Sequence, residues 1–271
     1  MLDKEFLDDI EYIIKNVPTL YKYLNCEGAK LMLLNSNLLF KNPFKFNDPY
    51  DCYPGLISFD KIPETFRQDL FSTFRNNYTP EIQQVLLENL NKVPDDKMSN
   101  MYRGYLIQHE LSSLGISCFS EKCDKLLMWS HYANYHEGVC IGLDTKLLNN
   151  YLADKTPALI KVKYTEENFV KRDYFIDSKS ALINCFRTKY EEWIYEEEIR
   201  IVLFKLFFDE DNRCLLPIMK EIVTKIYLGK KIDEKNAQDI ISLRNSYYPK
   251  ANVYRMELDD CKFKLIPKEV G

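Results

Sequence analysis

Residues 115–144 read GISCFSEKCDKLLMWSHYANYHEGVCIGLD, and this stretch decides the fold class. GISCFS, from Gly115, is a short apolar strand, Asp124 opens a helix through LLMWSHYA, and Gly138 starts the strand GVCIGLD. Strands and helices therefore alternate closely here. Upstream, the pattern predicts a strand over Leu20 to Tyr23, a helix over Gly28 to Leu34 and a strand over Asn37 to Phe40, followed by the loop KNPFKFNDPYD. An amphipathic helix over residues 3–16 places Leu7, Ile10, Ile13 and Ile14 on one face. From Ile62 to Ser112 the period is helical, with Pro63 and Pro80 marking starts and apolar positions at Phe66, Leu70, Ile82, Val85, Leu86 and Leu90.

Downstream, a strand is expected over Ala158 to Tyr164, one or two helices over Glu166 to Lys189, and a strong strand over Glu196 to Phe204. The tail adds a strand over Ile222 to Leu228, a helix over Glu234 to Leu243, and strands over Val253 to Leu258 and Phe263 to Ile266. Because the helices cluster instead of alternating strictly, the pattern predicts an α+β fold. Its form is a single twisted mixed sheet with flanking helices, one domain over 1–271, and a helical insertion at about 62–112.

The 271 residues easily bury a sizeable core. Thirty-seven Lys and Arg against 41 Asp and Glu give a net charge of −4, so no global positive field collects nucleic acid, and such a partner is not favoured. Neither GxxxxGK[ST] nor GxGxxG occurs. The start MLDKEFLDDIEYIIKNV lacks the basic opening and apolar run of a secretory signal, and no stretch approaches the roughly 18 apolar residues of a membrane span. A cytoplasmic protein with no membrane partner is expected. The eight cysteines form no CxxC pair and suit small buried apolar residues in a reducing compartment. With only three histidines, no metal is expected.

Four clusters carry candidate chemistry. Phe46, Asn47, Asp48, Pro49 and Asp51 in FNDPYD make either a structural turn or a loop that presents polar groups. On GISCFS, Ser117 and Phe119 share one face while Cys118 and Ser120 take the other, so either serine can be the useful one. In the next helix Trp129, Ser130, His131 and Tyr132 are consecutive and point in different directions; Trp129 suits a core, and His131 a structural bond or a ligand contact.

In EEWIYEEEIRIV, Glu196, Glu198 and Arg200 project from one face of the expected strand at period two. That is either a solvated sheet face or a carboxylate pair whose repulsion raises one pKa while Arg200 offsets it. Finally, Tyr21 and Tyr23 flank Lys22 on the first strand, where they pack a core or receive a flat ring.

Taken in order, LYKY, LLFKNPFKFNDPYD, ISCFSEKCDKLLMWSHYANYHEGVCIGLD and KYEEWIYEEEIRI resemble the bacterial domain-of-unknown-function family 2971 over about Leu20 to Val202. The family name supplies no activity. The order of an aromatic or basic residue on one strand, a serine on a second and E-x-E on a third is also similar to the three-part site of ADP-ribosyltransferases. That resemblance implies Glu198 as the ribose-contacting carboxylate with Glu196 as its partner, Ser117 or Ser120 on the second strand, and Tyr21 or Lys22 on the first. The first strand departs from that pattern, with no Arg or His at a matching place.

The chemistry implied is cleavage of the nicotinamide-ribose bond of NAD by an ADP-ribosyltransferase-like enzyme or NAD glycohydrolase, a toxin or phage-defence effector in kind. Positive charge builds on the sugar and an ionised glutamate stabilises it. Tyr21, Tyr23 or Phe46 then stacks on nicotinamide, and Arg200 or Lys22 neutralises pyrophosphate. NAD is the candidate substrate, no metal is required, and the acceptor is undetermined. Two alternatives stay open: a non-enzymatic small-molecule-binding regulatory module, and a metal-assisted hydrolase built from Asp48, Asp51, His131, Glu196 and Glu198.

Overall fold

The computed structural model describes residues 4–43, 46–60, 62–63 and 65–270. Position 3, where the sequence pattern starts its first helix, and positions 44 and 45 of the loop before FNDP lie outside the described residues.

Helix α1 (Lys4–Asn16) leads into β1 (Thr19–Leu24), α2 (Cys26–Asn35) and β2 (Asn37–Lys41). A short strand β3 (Ile57–Ser58) precedes the helices α3 (Phe66–Phe74), α4 (Pro80–Asn91) and α5 (Asp95–Tyr105). The central stretch gives β4 (Gly115–Ser120), α6 (Leu126–Tyr132), β5 (Val139–Asp144) and α7 (Thr145–Tyr151). Strands β6 (Ala158–Lys161), β7 (Lys163–Thr165) and β8 (Arg172–Asp173) come next, then α8 (Ser178–Arg187), β9 (Thr188–Tyr190) and β10 (Glu198–Leu203). The chain ends with β11 (Arg213–Pro217), β12 (Val223–Leu228), α9 (Glu234–Tyr247), β13 (Asn252–Leu258) and β14 (Leu265–Glu269).

Ten strands form one sheet in the order β11-β2-β4-β1-β5-β12-β13-β14, with β10 and β6 continuing from β4. Its ladders are antiparallel except β12 with β13, which run parallel and are joined by α9. This is the expected α+β fold.

Each sheet face is covered differently. On one face, Leu20, Ile141, Leu143, Ile199, Ile201 and Ile226 pack beneath α1, α2, α7 and α9 in a continuous core. Side chains set three of those helix starts: Asn25 accepts from Gly28 N at 2.7 Å, Asp144 from Leu147 N at 2.8 Å and Asp233 from Asn236 N at 2.9 Å. Each such cap stabilises its helix by about 1 kcal/mol. The opposite face carries two smaller cores: one sets Ile116, Ile160 and Val202 against Phe66, Met98, Tyr102 and Phe186, the other Tyr23, Cys140 and Tyr227 against Met128 and Trp129. Between them lies a polar strip of the sheet.

Several expectations are corrected. The third-strand acids do not share a strand: β10 begins at Glu198, and Glu196 closes a 3-10 turn over Glu191–Glu196. Glu197, at φ 40°, sits in the left-handed region and turns the chain between them. The helical expectation for Glu166 to Lys189 holds only for α8. Upstream of it the Asp173 carboxylate accepts from Phe175 N at 2.9 Å and Ile176 N at 3.2 Å, a local turn that competes with helix.

The Ala158 to Tyr164 run divides at Val162 into β6, which pairs β10, and β7, which pairs β9. Strands β3 and β11 and helix α7 were not anticipated. The last strand starts at Leu265, leaving Phe263 fully exposed. Helix α1 buries Phe6 and Ile13 while Leu7 is exposed, and Ile82, Val85 and Leu86 of α4 are exposed too. All eight cysteines are free thiols; Cys52, Cys140 and Cys185 are buried, but Cys261 is exposed. Among the described residues no helix is long and apolar enough to cross a membrane.

Candidate functional site

The site begins with a split in the sheet. One edge of β4 is paired with β10 along its whole length, whereas the other meets β1 only at Ser120 and β2 only at Ile116. Between these contacts the Cys118 carbonyl has no strand partner on that edge, and Lys22 supplies one. Its Nζ donates to Cys118 O at 2.9 Å and to Ser117 Oγ at 3.1 Å, and lies 5.0 Å from the centre of the Phe119 ring. Burial pushes the Lys22 amine down from its ordinary value, and Lys41 adds to that.

Strand register brings three remote residues into line. Tyr21 pairs with Ser120, and Ser120 pairs with Glu198, so the three form one row across β1, β4 and β10. Directly paired residues share a face. Ser120 is therefore the serine beside Glu198, while Ser117 points to the opposite face.

Beneath this row lies a buried ionic network. Lys189 Nζ is 2.5 Å from Glu196 Oε2, 3.1 Å from Glu198 Oε2 and 3.3 Å from Asp51 Oδ2. Arg200 grips Glu198 with two prongs, Nε to Oε1 and Nη2 to Oε2, each 2.9 Å, and its Nη2 lies 2.7 Å from Asp51 Oδ1. Its Nη1 donates to Phe186 O at 2.8 Å and to Cys52 Sγ at 3.1 Å. Three carboxylates thus face two cations, a surplus of one negative charge.

That surplus falls on Glu196. Burial and the charge of Glu198 push its carboxyl up to about 7, against the pull of Lys189. For Glu198 burial also acts upward, but Arg200 and then Lys189 outweigh it and hold the carboxyl well below the usual carboxylate range. The Tyr132 hydroxyl donates to Glu196 Oε1 at 2.5 Å, and burial pushes that phenol up, so it stays a donor at neutral pH. The Tyr164 hydroxyl accepts from Glu198 N at 2.9 Å. Cys52, at φ 54°, and Glu197 both hold strained left-handed backbone beside these carboxylates.

A cleft of about 260 Å³ opens over the row. Of the residues singled out from the sequence, Tyr21, Lys22, Tyr23, Phe46, Asn47, Asp51, Ser120, Tyr132, Glu196 and Glu198 line it. Others do not. Trp129 is fully buried, donating to Cys123 O at 2.7 Å and packed edge-on to Tyr23. His131 is exposed and its Nδ1 meets the Tyr195 hydroxyl at 2.8 Å. Arg200 is sealed behind Glu198, and Asp48 lies in a neighbouring cleft and caps Tyr50 N at 2.8 Å.

Sequence reasoning missed Lys189; Asp51, weighed there as a turn residue, a polar loop residue or a metal ligand, is an ion-pair partner of both Lys189 and Arg200. Among the described residues no group of three or more His, Cys, Asp or Glu side chains can hold a metal ion. The three carboxylates that converge do so around Lys189 and Arg200.

Two carboxylates with separated pKa values make a working pair. Glu198 is fixed in the ionised state and opposes any cation that develops in the cleft, while Glu196 titrates near neutrality and can take up a proton. Arg200 through Nε and Nη2, Lys189 through Nζ and the Cys118 thiol all bond the Glu198 carboxylate.

Residues 128–201 match the family model described as Protein of unknown function (DUF2971). The matched segment runs from α6 to β10 and carries Tyr132, Lys189, Glu196, Glu198 and Arg200. Tyr21, Asp51 and Ser120 precede it. The chain matches no curated protein and no solved structure.

Proposed function

We propose that this chain breaks the bond between nicotinamide and ribose in NAD, as an ADP-ribosyltransferase-like enzyme or NAD glycohydrolase. The observation that carries the reading is the row of Tyr21, Ser120 and Glu198 across adjacent strands lining one cleft. Aromatic rings at Tyr21, Tyr23 and Phe46 suit a flat nicotinamide, and Lys22 and Lys41 on the same cleft suit the pyrophosphate.

In this reading the C1′–N bond breaks with its electron pair leaving on nicotinamide, which departs neutral. The positive charge left on the ribose faces Glu198, whose ionised state needs no adjustment at the moment of reaction. An acceptor hydroxyl or water forms the new bond to C1′ and gives its proton to Glu196.

Incubating the full chain with NAD and separating the products by chromatography tests the reading. Free nicotinamide, with ADP-ribose or an ADP-ribosylated product in equal amount, is the expected result. NAD recovered intact after prolonged incubation with water and candidate acceptors overturns it. A second reading, a regulatory module that binds a nucleotide without turning it over, draws on how fully Arg200 and Lys189 occupy Glu198. Binding of ADP-ribose that raises thermal stability, with NAD left uncleaved, selects that second reading.

A further inference from the structure

The cleft over the row continues through the sheet. Tyr21, Tyr23 and Ser120 line it, and so do Lys22, Leu24 and Phe119 from the alternate positions of the same two strands. Successive strand residues point to opposite faces, so the cavity reaches both. The opening is the split where β4 meets β1 only at Ser120 and β2 only at Ile116. Lys22 crosses it.

Three lysines line this cleft, Lys22, Lys41 and Lys189, and their settings differ. Lys189 is held by the carboxylates of Asp51, Glu196 and Glu198. Lys41 is exposed. Among the described residues Lys22 has no carboxylate partner: two neutral acceptors hold its Nζ, Cys118 O at 2.9 Å and Ser117 Oγ at 3.1 Å, over the Phe119 ring. Burial disfavours its protonated form, and Lys41 adds to that against the pull of Cys118 and Glu198.

An amine in such a place gives up its proton readily and becomes a nucleophile toward carbonyl carbon. The rest of the cleft supplies what imine formation needs. A proton must leave with the carbonyl oxygen and another must come off the nitrogen, and Glu196, whose carboxyl titrates at about 7, lines the same cleft. Tyr21 and Phe46 offer aromatic faces to a flat ring, and Lys41 offers a cation to an acidic group on it.

We propose that Lys22 forms a reversible imine with an aromatic aldehyde that carries an acidic group. The Nζ lone pair bonds to the carbonyl carbon as the C=O pair moves to oxygen, and one nitrogen proton passes to that oxygen. Glu196 in its acid form protonates the resulting hydroxyl, water departs, and the second nitrogen proton returns to Glu196. Amine and aldehyde thus give imine and water, with nothing oxidised or reduced. The proposal goes beyond NAD cleavage and stands on Lys22 and the split in the sheet; an aldehyde bound there occupies the cleft and excludes NAD.

The test mixes the full chain with equimolar pyridoxal 5′-phosphate at neutral pH, fixes any imine with sodium borohydride, and maps the label by digestion and mass spectrometry. Lys22 is expected to carry at least about fivefold more label than the average of the other lysines, because more of its amine is neutral. Pyridoxine 5′-phosphate, an alcohol in place of the aldehyde, gives no label. Lys22→Arg keeps the charge and loses the labelled peak. Lys41→Gln lowers labelling of Lys22 severalfold by removing the cation that holds the phosphate.

Label spread over exposed lysines, with Lys22 at or below their average, overturns the proposal, and the wild-type map alone reads this whether or not Lys22→Arg folds. Undiminished labelling in Lys41→Gln overturns the part given to the acidic group. Nicotinamide release from NAD by the untreated chain is read separately. Labelled Lys22 without release sinks the NAD reading alone, whereas release with Lys22 unlabelled sinks the imine alone.

Discussion

Glu196 and Glu198 share one ammonium, that of Lys189, at 2.5 and 3.1 Å, yet their carboxyl groups shift in opposite directions. The cause is Arg200, which bonds both oxygens of Glu198 and neither of Glu196. Two glutamates on either side of a single strained residue thereby become a fixed anion and a titrating group. The division of labour proposed for NAD cleavage follows from that asymmetry.

The pH dependence of activity follows the titrating member. Glu196 takes a proton only when ionised, so nicotinamide release is expected to rise with pH around a midpoint near 7. Glu196→Gln lowers the rate and removes that limb. A wild-type profile flat between about pH 5.5 and 8.5 contradicts the role.

Stability moves in the opposite sense with pH. In the folded chain Glu196 titrates at about 7 against an ordinary 4.5, so the folded state holds its proton more tightly than the unfolded state. Its stabilising contribution is complete below the ordinary value and is lost as pH rises through 7. The full loss is on the order of 3 kcal/mol. Urea unfolding across that range is expected to show a decline in wild type that Glu196→Gln flattens.

Arg200 is the structural keystone of the network. Replacing it with Met leaves Glu198 and Asp51 buried without their main cation, which costs about 3–5 kcal/mol in chemical denaturation. Arg200→Lys keeps the charge but loses the two-pronged grip, and falls between the two. A loss under about 1 kcal/mol for the Met variant contradicts this account.

The two serines separate by face. Ser120→Ala is expected to lower kcat by about tenfold, and Ser117→Ala to change it little, because only Ser120 stands in the row with Glu198. Lys22→Met raises KM for NAD by about tenfold with kcat near wild type, the pattern of a group that holds the substrate equally before and during reaction. Steady-state kinetics on the three variants reads all of this, and equal effects of the two serine changes contradict the assignment.

The strands of the site were legible in the sequence because their apolar positions alternate: β1, β2, β4 and β10 all fall within a few residues of where the pattern puts them. Their lateral order was not. Tyr21, Ser120 and Glu198 line up through pairing of strands far apart in sequence, which no local period encodes. Period two separates Ser117 from Ser120 but not the covered face from the open one.

Lys189 escaped notice because a lysine between a helix end and the acids of YEEW reads as a surface residue. Its burial depends on Asp51, Glu196 and Glu198 arriving around it. Glu196 and Glu198 were paired correctly for the wrong local reason, since a left-handed turn at Glu197, and not a continuous strand, brings them together.

The most direct measurement is the rate of nicotinamide release from NAD by Glu198→Gln beside wild type, with both shown folded by circular dichroism. Replacing the fixed anion with a neutral isostere is predicted to cut the rate by about 10²–10³-fold while ADP-ribose still binds. Release by the folded variant at the wild-type rate contradicts the central claim that this carboxylate stabilises the ribose cation.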